Sequence, residues 1–493
     1  MTTEAARRLL EDLNAEQRQA VETVEGPLLV VAGPGSGKTR VITYRIAYLV
    51  RVLGVNPRRI LAVTFTNKAA REMLTRLQGL LGDRAKELTV GTFHNFGARV
   101  LRSYGDAVGI PKDFVIYDED DQQALMKRAM QDVQVDPKRY APSAVHAAIS
   151  AAKNQLVTVQ DHATRQFSPF DKVVHRVYER YEALLRESHA VDFDDLLLLP
   201  VLLFQRNEEV LKRYQERYLH VLVDEWQDTN RAQYLLTSQI AELHKNLCVV
   251  GDPDQSIYSW RYADIRNILD FEHDFSNAKT VVLGRNYRST QNILDAAHGV
   301  IVANKQRKDV RLWTDKGAGT PLVLTEAFNK QEEAVYLAGE IERLVNKERK
   351  HRYADMAVMY RTNAQSRAPE EAFVRHGIPY RIIGGLRFWE RREVKDALAY
   401  LRVIHNPFDS VSLARIVNVP PRGIGAKTLD ELTQWATRQN VPLYAALQMA
   451  VAPQDVGADG GPPSETVGAH GRAPSEDVPG PQITRQAQGS LRV

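Results

Sequence analysis

Cysteine is almost absent from this chain of 493 residues: the lone Cys248 excludes an internal disulfide and fits a reducing compartment. It lies in the apolar run Leu247 to Val250, which reads as packed core. Long hydrophobic runs are also missing. The longest, Leu196 to Phe204, is far too short to span a bilayer and contains Pro200. The N-terminus, MTTEAARRLLEDL, has no apolar signal-type segment and reads as an amphipathic helix. We therefore expect a soluble, cytoplasmic protein with no membrane partner. Nor is there a strong excess of one charge. With 65 Lys and Arg against 61 Asp and Glu, the net charge of +4 permits a polyanionic partner without requiring one. Aromatic residues vanish after residue 450, where 13 of 43 residues are Gly or Pro, so this tail cannot build a core and should be disordered.

What the chain does contain is centred on Gly26 to Thr39, GPLLVVAGPGSGKT. The apolar run Leu28 to Ala32 reads as a buried strand, and the helix after it opens at Lys38 and Thr39. Glycines between them let successive backbone N–H groups curl round a phosphate, and the helix N-terminus adds partial positive charge. Lys38 then reaches the β- and γ-phosphates of a nucleotide, with the Thr39 hydroxyl on Mg²⁺. Ala32 stands where the strict pattern has glycine, a position that needs only a small residue.

Strands expected at Ile60–Thr66, Thr89–His94, His220–Glu225 and Asn246–Asp254 alternate with helical patterns, which argues a parallel sheet covered on both faces. From about Pro111 to Ala190 strands disappear and the chain reads as an inserted helical domain. A second α/β unit is expected from Lys279, with strands TVVLGRN, PLVLTEA, MAVMYRT and YRIIGG, and the chain is helical again from Arg387 to about Ala450.

Asp224 and Glu225 end an apolar strand in VLVDEWQD, where Asp224 can hold Mg²⁺ opposite Thr39 and Glu225 can orient an attacking water. Gln255, after the next strand, is placed to sense a γ-phosphate. Tyr258, Trp260 and Arg261 follow within six residues. Base faces stack on such aromatics whatever the sequence, and a nearby arginine holds phosphate. Phe65, Thr66, Asn67 and Lys68 end one strand, and Thr92, Phe93 and His94 end another. In an open parallel sheet, ligands meet those carboxyl ends.

The ordered motifs LNAEQ, AGPGSGKT, FTNKAA, GTFH, DFDDLL, VDEWQDTN, GDPDQSIYSWR, NYRST and RTNAQSR make the chain resemble the UvrD/PcrA/Rep group of superfamily 1 DNA helicases. The resemblance covers residues 10 to about 450. It implies an α/β fold: a P-loop RecA-like parallel sheet domain with a helical insertion, plus an incomplete second RecA-like domain with a partial helical insertion and a disordered tail. The expected boundaries are 1–110 and 191–278 for the first RecA-like domain, 111–190 for its insertion, 279–386 for the second, 387–450 for the partial insertion and 451–493 for the tail.

By that resemblance the ATP-binding residues are Gln17, which would contact adenine, Tyr287, which would stack on it, and the loop Ala32, Gly33, Pro34, Gly35, Ser36, Gly37, Lys38, Thr39 and Arg40. Arg288 would act as an arginine finger, and Gln255 would couple the γ-phosphate to DNA. Phe65, Thr66, Asn67, Thr92, His94, Tyr258, Trp260 and Arg261 would form the DNA path. Trp226 replaces the usual tyrosine or phenylalanine and keeps an aromatic. The implied activity is ATP-dependent, 3′-to-5′ unwinding with Mg²⁺, on single-stranded DNA and 3′-tailed duplex, in repair or replication.

Two later segments of the family, T-x-H-x-x-K-G-L-E and R-R-L-x-Y-V-x-x-T-R-A, have no match. The chain therefore reads as C-terminally truncated. The near-repeat of VGADGGPPSE in VGAHGRAPSE suggests a repeat element or frameshift as the origin of the tail. Weak hydrolysis without processive unwinding is expected of such a chain. The competing expectation is a remnant that binds ATP and single-stranded DNA without productive turnover.

Overall fold

The computed structural model describes residues 2–164, 168–305, 307–308, 310–383, 391–439 and 441–451. Of the tail expected to be disordered, residues 452–493 lie outside the described residues, while Val451 ends a helix; the start of the helical stretch expected from Arg387 also lies outside them. The chain divides into two compact units, Met1–Gly317 with Asp396 onward, and Ala318–Lys395.

The first unit is built on a six-stranded sheet. Its strands are β1 (Leu28–Ala32), β2 (Ile60–Thr64), β3 (Thr89–Thr92), β6 (His220–Val223), β7 (Leu247–Gly251) and β8 (Lys279–Leu283), in spatial order β3-β2-β6-β7-β1-β8. Every pairing is parallel, with Leu28 opposite Cys248 on one side and Lys279 on the other. Side chains alternate across a strand, so β1 serves two cores. Leu28, Val30 and Ala32 join one apolar cluster with Ile42, Ile46 and Met73, while Leu29 and Val31 join another with Phe96, Phe204 and Trp226. A strand buried on both faces reads as an unbroken apolar run, which is why LLVVA is legible. Cys248 is buried in the first of these clusters, as expected.

The apolar run Leu196–Phe204 folds as the buried helix Asp195–Arg206. The helix Phe93–Tyr104 crosses it so closely that a Cβ on Gly97 would stand 1.8 Å from the Leu196 carbonyl oxygen. Glycine is required there by the approach of two backbones.

The expected helical insertion forms from helices Glu119–Asp132, Pro142–Asn154, Val159–Ala163 and Pro169–Glu187 around Met126, Ile149, Tyr178 and Tyr181. Strands do not vanish entirely from it. Two short parallel strands, β4 (Val115–Ile116) and β5 (Ala190–Val191), pair where the insertion leaves and rejoins the sheet. The later helices Ser410–Ile416, Ala426–Gln439 and Leu443–Val451 pack around Leu413, Leu432 and Leu443. The insertion meets this region through Tyr117 donating to Asp409 (2.7 Å), the cap of Ser410–Ile416, and through Arg402, on the preceding helix Arg392–His405, donating to Asp121 (2.6 Å).

The expected second α/β unit differs in detail. Its first strand, Lys279–Leu283, completes the first sheet beside β1 and leaves its other edge free of strand partners among the described residues. PLVLTEA and MAVMYRT carry no strand, and Leu324 is 99% exposed. A strand persists only where a neighbour takes up its N–H and C=O groups, and none is offered to these segments among the described residues. The described part of YRIIGG is likewise not a strand. In the second unit, helices Lys330–Glu342 and Arg367–Arg375 pack through Ala334, Ala338, Ala372 and Phe373.

Candidate nucleotide and strand site

Between β1 and the helix Lys38–Arg51, Gly35 and Gly37 take φ of +69° and +98°, values that favour glycine. Gly37 caps that helix without a side-chain bond, so its first N–H groups face outward, free for an anion. The Ser36 hydroxyl donates to the Gly33 carbonyl (2.7 Å). Lys38 Nζ donates to the Ala32 carbonyl (3.3 Å) and lies 3.7 Å from Asp252. Thr39 is the second residue of the helix, and Arg40 turns away to the Asp12 carbonyl (2.9 Å).

Three further residues close on this loop. Gln17 Nε2 donates to the Ser36 carbonyl (2.9 Å), the Tyr287 N–H to the Gly35 carbonyl (2.9 Å), and Asn286 Nδ2 to the Pro34 carbonyl. A Cβ on Gly35 would meet Arg288 Cβ and Asn286 Nδ2 at 2.7 Å, so Arg288 begins at the phosphate loop itself. Residues of the first motif, LNAEQ, and of NYRST are thus brought together at the loop.

The acids follow β6. The Asp224 N–H donates to the Val63 carbonyl (2.9 Å), and Glu225 takes a left-handed φ of +55°, unusual for a residue with a Cβ. Gln227 ties the loop. Its side-chain Nε2 donates to Glu225 (3.0 Å) and Asp228 (3.3 Å), and its Oε1 accepts from the Asp252 N–H (2.9 Å). Burial, then the neighbouring Glu225, pushes the Asp224 and Asp228 carboxyls up to about 7, while Lys38 opposes the rise. Burial raises Asp252 too. One ammonium therefore offsets three carboxyl groups, and buried Asp228 Oδ1 has no hydrogen-bond partner. Such a set welcomes a hard divalent cation. No three His, Cys, Asp or Glu side chains among the described residues could hold a metal by themselves. A magnesium ion takes only one or two carboxylates and completes its shell with water and substrate phosphate.

Gln255 stands next in line, its amide donating to Asp252, the partner of Lys38. Three residues on, the Tyr258 ring lies 4.8 Å from Phe65 and 6.1 Å from Trp260. Arg261 covers all three rings, most closely Trp260 at 4.7 Å. Trp260 is 66% exposed, so the stack is a surface and not core. His94 sits edge-on to Phe193 at 6.1 Å, and burial with Arg261 nearby lowers its pKa to about 4, leaving it neutral. Thr66 and Thr92, expected to face the crevice, cap the helices after their strands by accepting from Ala69 N–H (3.1 Å) and Asn95 N–H (3.2 Å). Asn67 opens the first of those helices. Trp226 is wholly buried and donates to the Asn267 carbonyl (2.7 Å), so the extra ring serves the core.

Sequence reasoning assigned no role to Phe193, Gln227 or Asn286. For Phe193 a signal existed: it is a lone aromatic between acids in DFDDLL. Asp192 and Asp195 turn inward to Lys153, and Phe193 is left 46% exposed on the side of His94.

A family model described as the UvrD/REP helicase N-terminal domain matches residues 13–276, and one described as the UvrD-like helicase C-terminal domain matches residues 281–450. The ATP-dependent DNA helicase PcrA of Staphylococcus epidermidis is 47% identical over 440 residues, 89% of this chain and 60% of its own length. That of Leuconostoc citreum is 48% identical over 441 residues, covering 89% and 59% respectively. That of Staphylococcus aureus is 46% identical over 439 residues, covering 89% and 60%. The chain thus spans about 60% of the length of the curated relatives it matches.

Proposed function

This chain belongs to the UvrD/REP helicase family, and on that premise we propose that it couples ATP hydrolysis to movement along single-stranded DNA. The wider reading is a 3′-to-5′ helicase acting on 3′-tailed duplex in repair or replication, in the cytoplasm. No described helix is long and apolar enough to cross a membrane.

In this reading Gln17 and Tyr287 hold adenine, the loop Ala32 to Arg40 cradles the phosphates, and Lys38 neutralises their charge. Thr39 and Asp224 would hold Mg²⁺, which when bound polarises the phosphoryl oxygens. Glu225 orients the attacking water, and Arg288 meets charge that develops in the transition state. Phe65, Tyr258 and Trp260 stack bases, Arg261 holds backbone phosphate, and His94 with Phe193 borders the same surface.

One observation carries the proposal: the continuous link Lys38–Asp252–Gln255, three residues short of the aromatic stack. A change at the γ-phosphate alters what Lys38 contacts, and Asp252 and Gln255 stand between that change and the rings. No kinase or GTPase chemistry uses an exposed base-stacking platform there.

Trp260→Ala is expected to weaken binding of an unpaired oligonucleotide by about 1–3 kcal/mol, with ATP affinity nearly unchanged. Fluorescence titration over a salt series checks it, since contacts to phosphate weaken steeply with salt and stacking does not. Undiminished strand affinity would remove Trp260 from the path.

A further inference from the structure

Asn14 belongs to the LNAEQ motif, yet only Gln17 of that motif has a role in the reading above. The residue makes three connections at once, two through its side chain and one through its backbone N–H. Asn14 Oδ1 accepts from the Gln17 N–H (2.7 Å), and the Asn14 N–H donates back to Gln17 Oε1 (3.3 Å), a closed capping box at the start of helix Ala15–Glu22. Asn14 Nδ2 donates to the Tyr287 hydroxyl (3.0 Å), 273 residues away in sequence.

We propose that Asn14 is a positioning residue for the nucleobase, tying the glutamine that reads the base edge to the tyrosine that carries the base face. The inference rests on the nucleotide-site reading above. Gln17 is only 2% exposed, and its amide is fixed at both ends. Nε2 donates to Ser36 and Oε1 accepts from Asn14, so the amide cannot turn over. Each end keeps one unused capacity: a second N–H on Nε2 and a second lone pair on Oε1. That pair matches the N7 acceptor and amino donor of adenine, whereas guanine presents an oxygen to Oε1. Recognition of the edge also requires the ring to lie at the right height and tilt. Tyr287 is 40% exposed, with the Arg285 guanidinium 5.0 Å from its centroid and 5.5 Å from Trp313. Its hydroxyl is held by Asn14. Without that bond the ring can slide relative to Gln17, and face and edge contacts no longer register.

The test compares Asn14→Ser, which keeps a capping oxygen but cannot span to Tyr287, with Tyr287→Phe, which keeps the ring but loses the hydroxyl. Affinities of the full chain for a non-hydrolysable ATP analogue, its GTP counterpart and inorganic tripolyphosphate are measured by calorimetry. Each variant is expected to bind the ATP analogue about three- to tenfold more weakly, the range for one neutral hydrogen bond. The ATP-to-GTP preference should fall and tripolyphosphate affinity should hold. The double variant should lose no more than either single one, because both remove the same bond. Additive losses, or an unaltered ATP-to-GTP preference in Asn14→Ser, would overturn the role of Asn14 while leaving the nucleotide site intact. A parallel loss of tripolyphosphate binding would mean that only the helix cap had failed. If the unaltered chain showed no gain of the ATP analogue over tripolyphosphate, the nucleotide-site reading itself would fall, and this inference with it.

Discussion

Lys38→Ala is expected to weaken ATP binding by about 10- to 150-fold, the equivalent of ~1.5–3 kcal/mol for a hydrogen bond from a charged donor. Any turnover should fall by at least about a hundredfold, because charge develops on the phosphoryl group where Lys38 points. The loss has a second source. Lys38 restrains the rise of the Asp224, Asp228 and Asp252 carboxyls, with Arg76 adding to it at Asp224. Without it those groups hold their protons more tightly, so a metal ion must compete with protons for Asp224. The aromatic surface does not depend on Lys38, being held by Phe65, Tyr258 and Arg261. Affinity for single-stranded DNA in the absence of nucleotide should therefore stay within about twofold, as for changes at separate sites. Nucleotide and oligonucleotide titrations of the same preparation check this. Equal loss of both would show that the fold had failed and not the site.

The largest effect on stability is expected from Lys153→Met. Lys153 is fully buried in the helical insertion, 2.5 Å from Glu182 and 2.8 Å from both Asp192 and Asp195. Its ammonium is raised well above the ordinary lysine value by the three acids, and its charge holds Asp192 below the ordinary carboxylate value. Asp195, faced by Asp192 in a buried site, goes up. Replacing the ammonium by an apolar group of similar length leaves buried acids without a counter-charge, which costs about 3–5 kcal/mol. The sign with pH follows. In the variant the folded carboxyls gain protons more readily than the unfolded ones. The deficit is full at neutral pH and shrinks as pH falls toward the unfolded carboxyl range of about 4. Urea unfolding at two pH values measures it; a deficit below about 1 kcal/mol at neutral pH would contradict a cation-held cluster. The neighbouring Asn154 donates to Asp194 (2.7 Å) and accepts from Asn230, the cap of the helix that follows the acid loop. The insertion is thereby joined to the segment that carries Asp224 and Glu225.

Much of the first sheet was legible because its strands are buried on both faces and read as plain apolar runs, as in LLVVA and ILAVT. The phosphate loop was legible for a different reason. Glycine at φ of +69° and +98° is demanded by the backbone and leaves its mark in the sequence. Strand partners were not legible. Lys279–Leu283 has a good strand pattern, but nothing within it says that its neighbour is β1, and strand propensity reports fit to a surface more than identity of the partner. The pair Val115–Ile116 and Ala190–Val191 is too short for any period to register. Nothing in the sequence singles out Lys153, the one charged residue other than a histidine on an alanine-rich helix, because its acids lie 29 to 42 residues further on. Thr92 ends β3 and Thr66 lies two residues past β2, and the hydroxyls of both cap helices, a use that the end of a strand and the start of a helix share. Asn14 was hidden in the same way. Its cap is a local signal, whereas its bond to Tyr287 spans the first unit.

Central to the account is a single loop that joins phosphate to strand through Gln255. Two sites that bias one element change each other's affinities by the same factor. The direct test is the affinity of a non-hydrolysable ATP analogue with and without saturating oligo-deoxythymidine, in the unaltered chain and in Gln255→Ala. The account predicts a several-fold change on adding DNA, about 5–150-fold being usual for coupled sites, and its collapse toward unity in the variant while each ligand still binds alone. An analogue affinity indifferent to DNA in the unaltered chain, or coupling undiminished in Gln255→Ala, would contradict it.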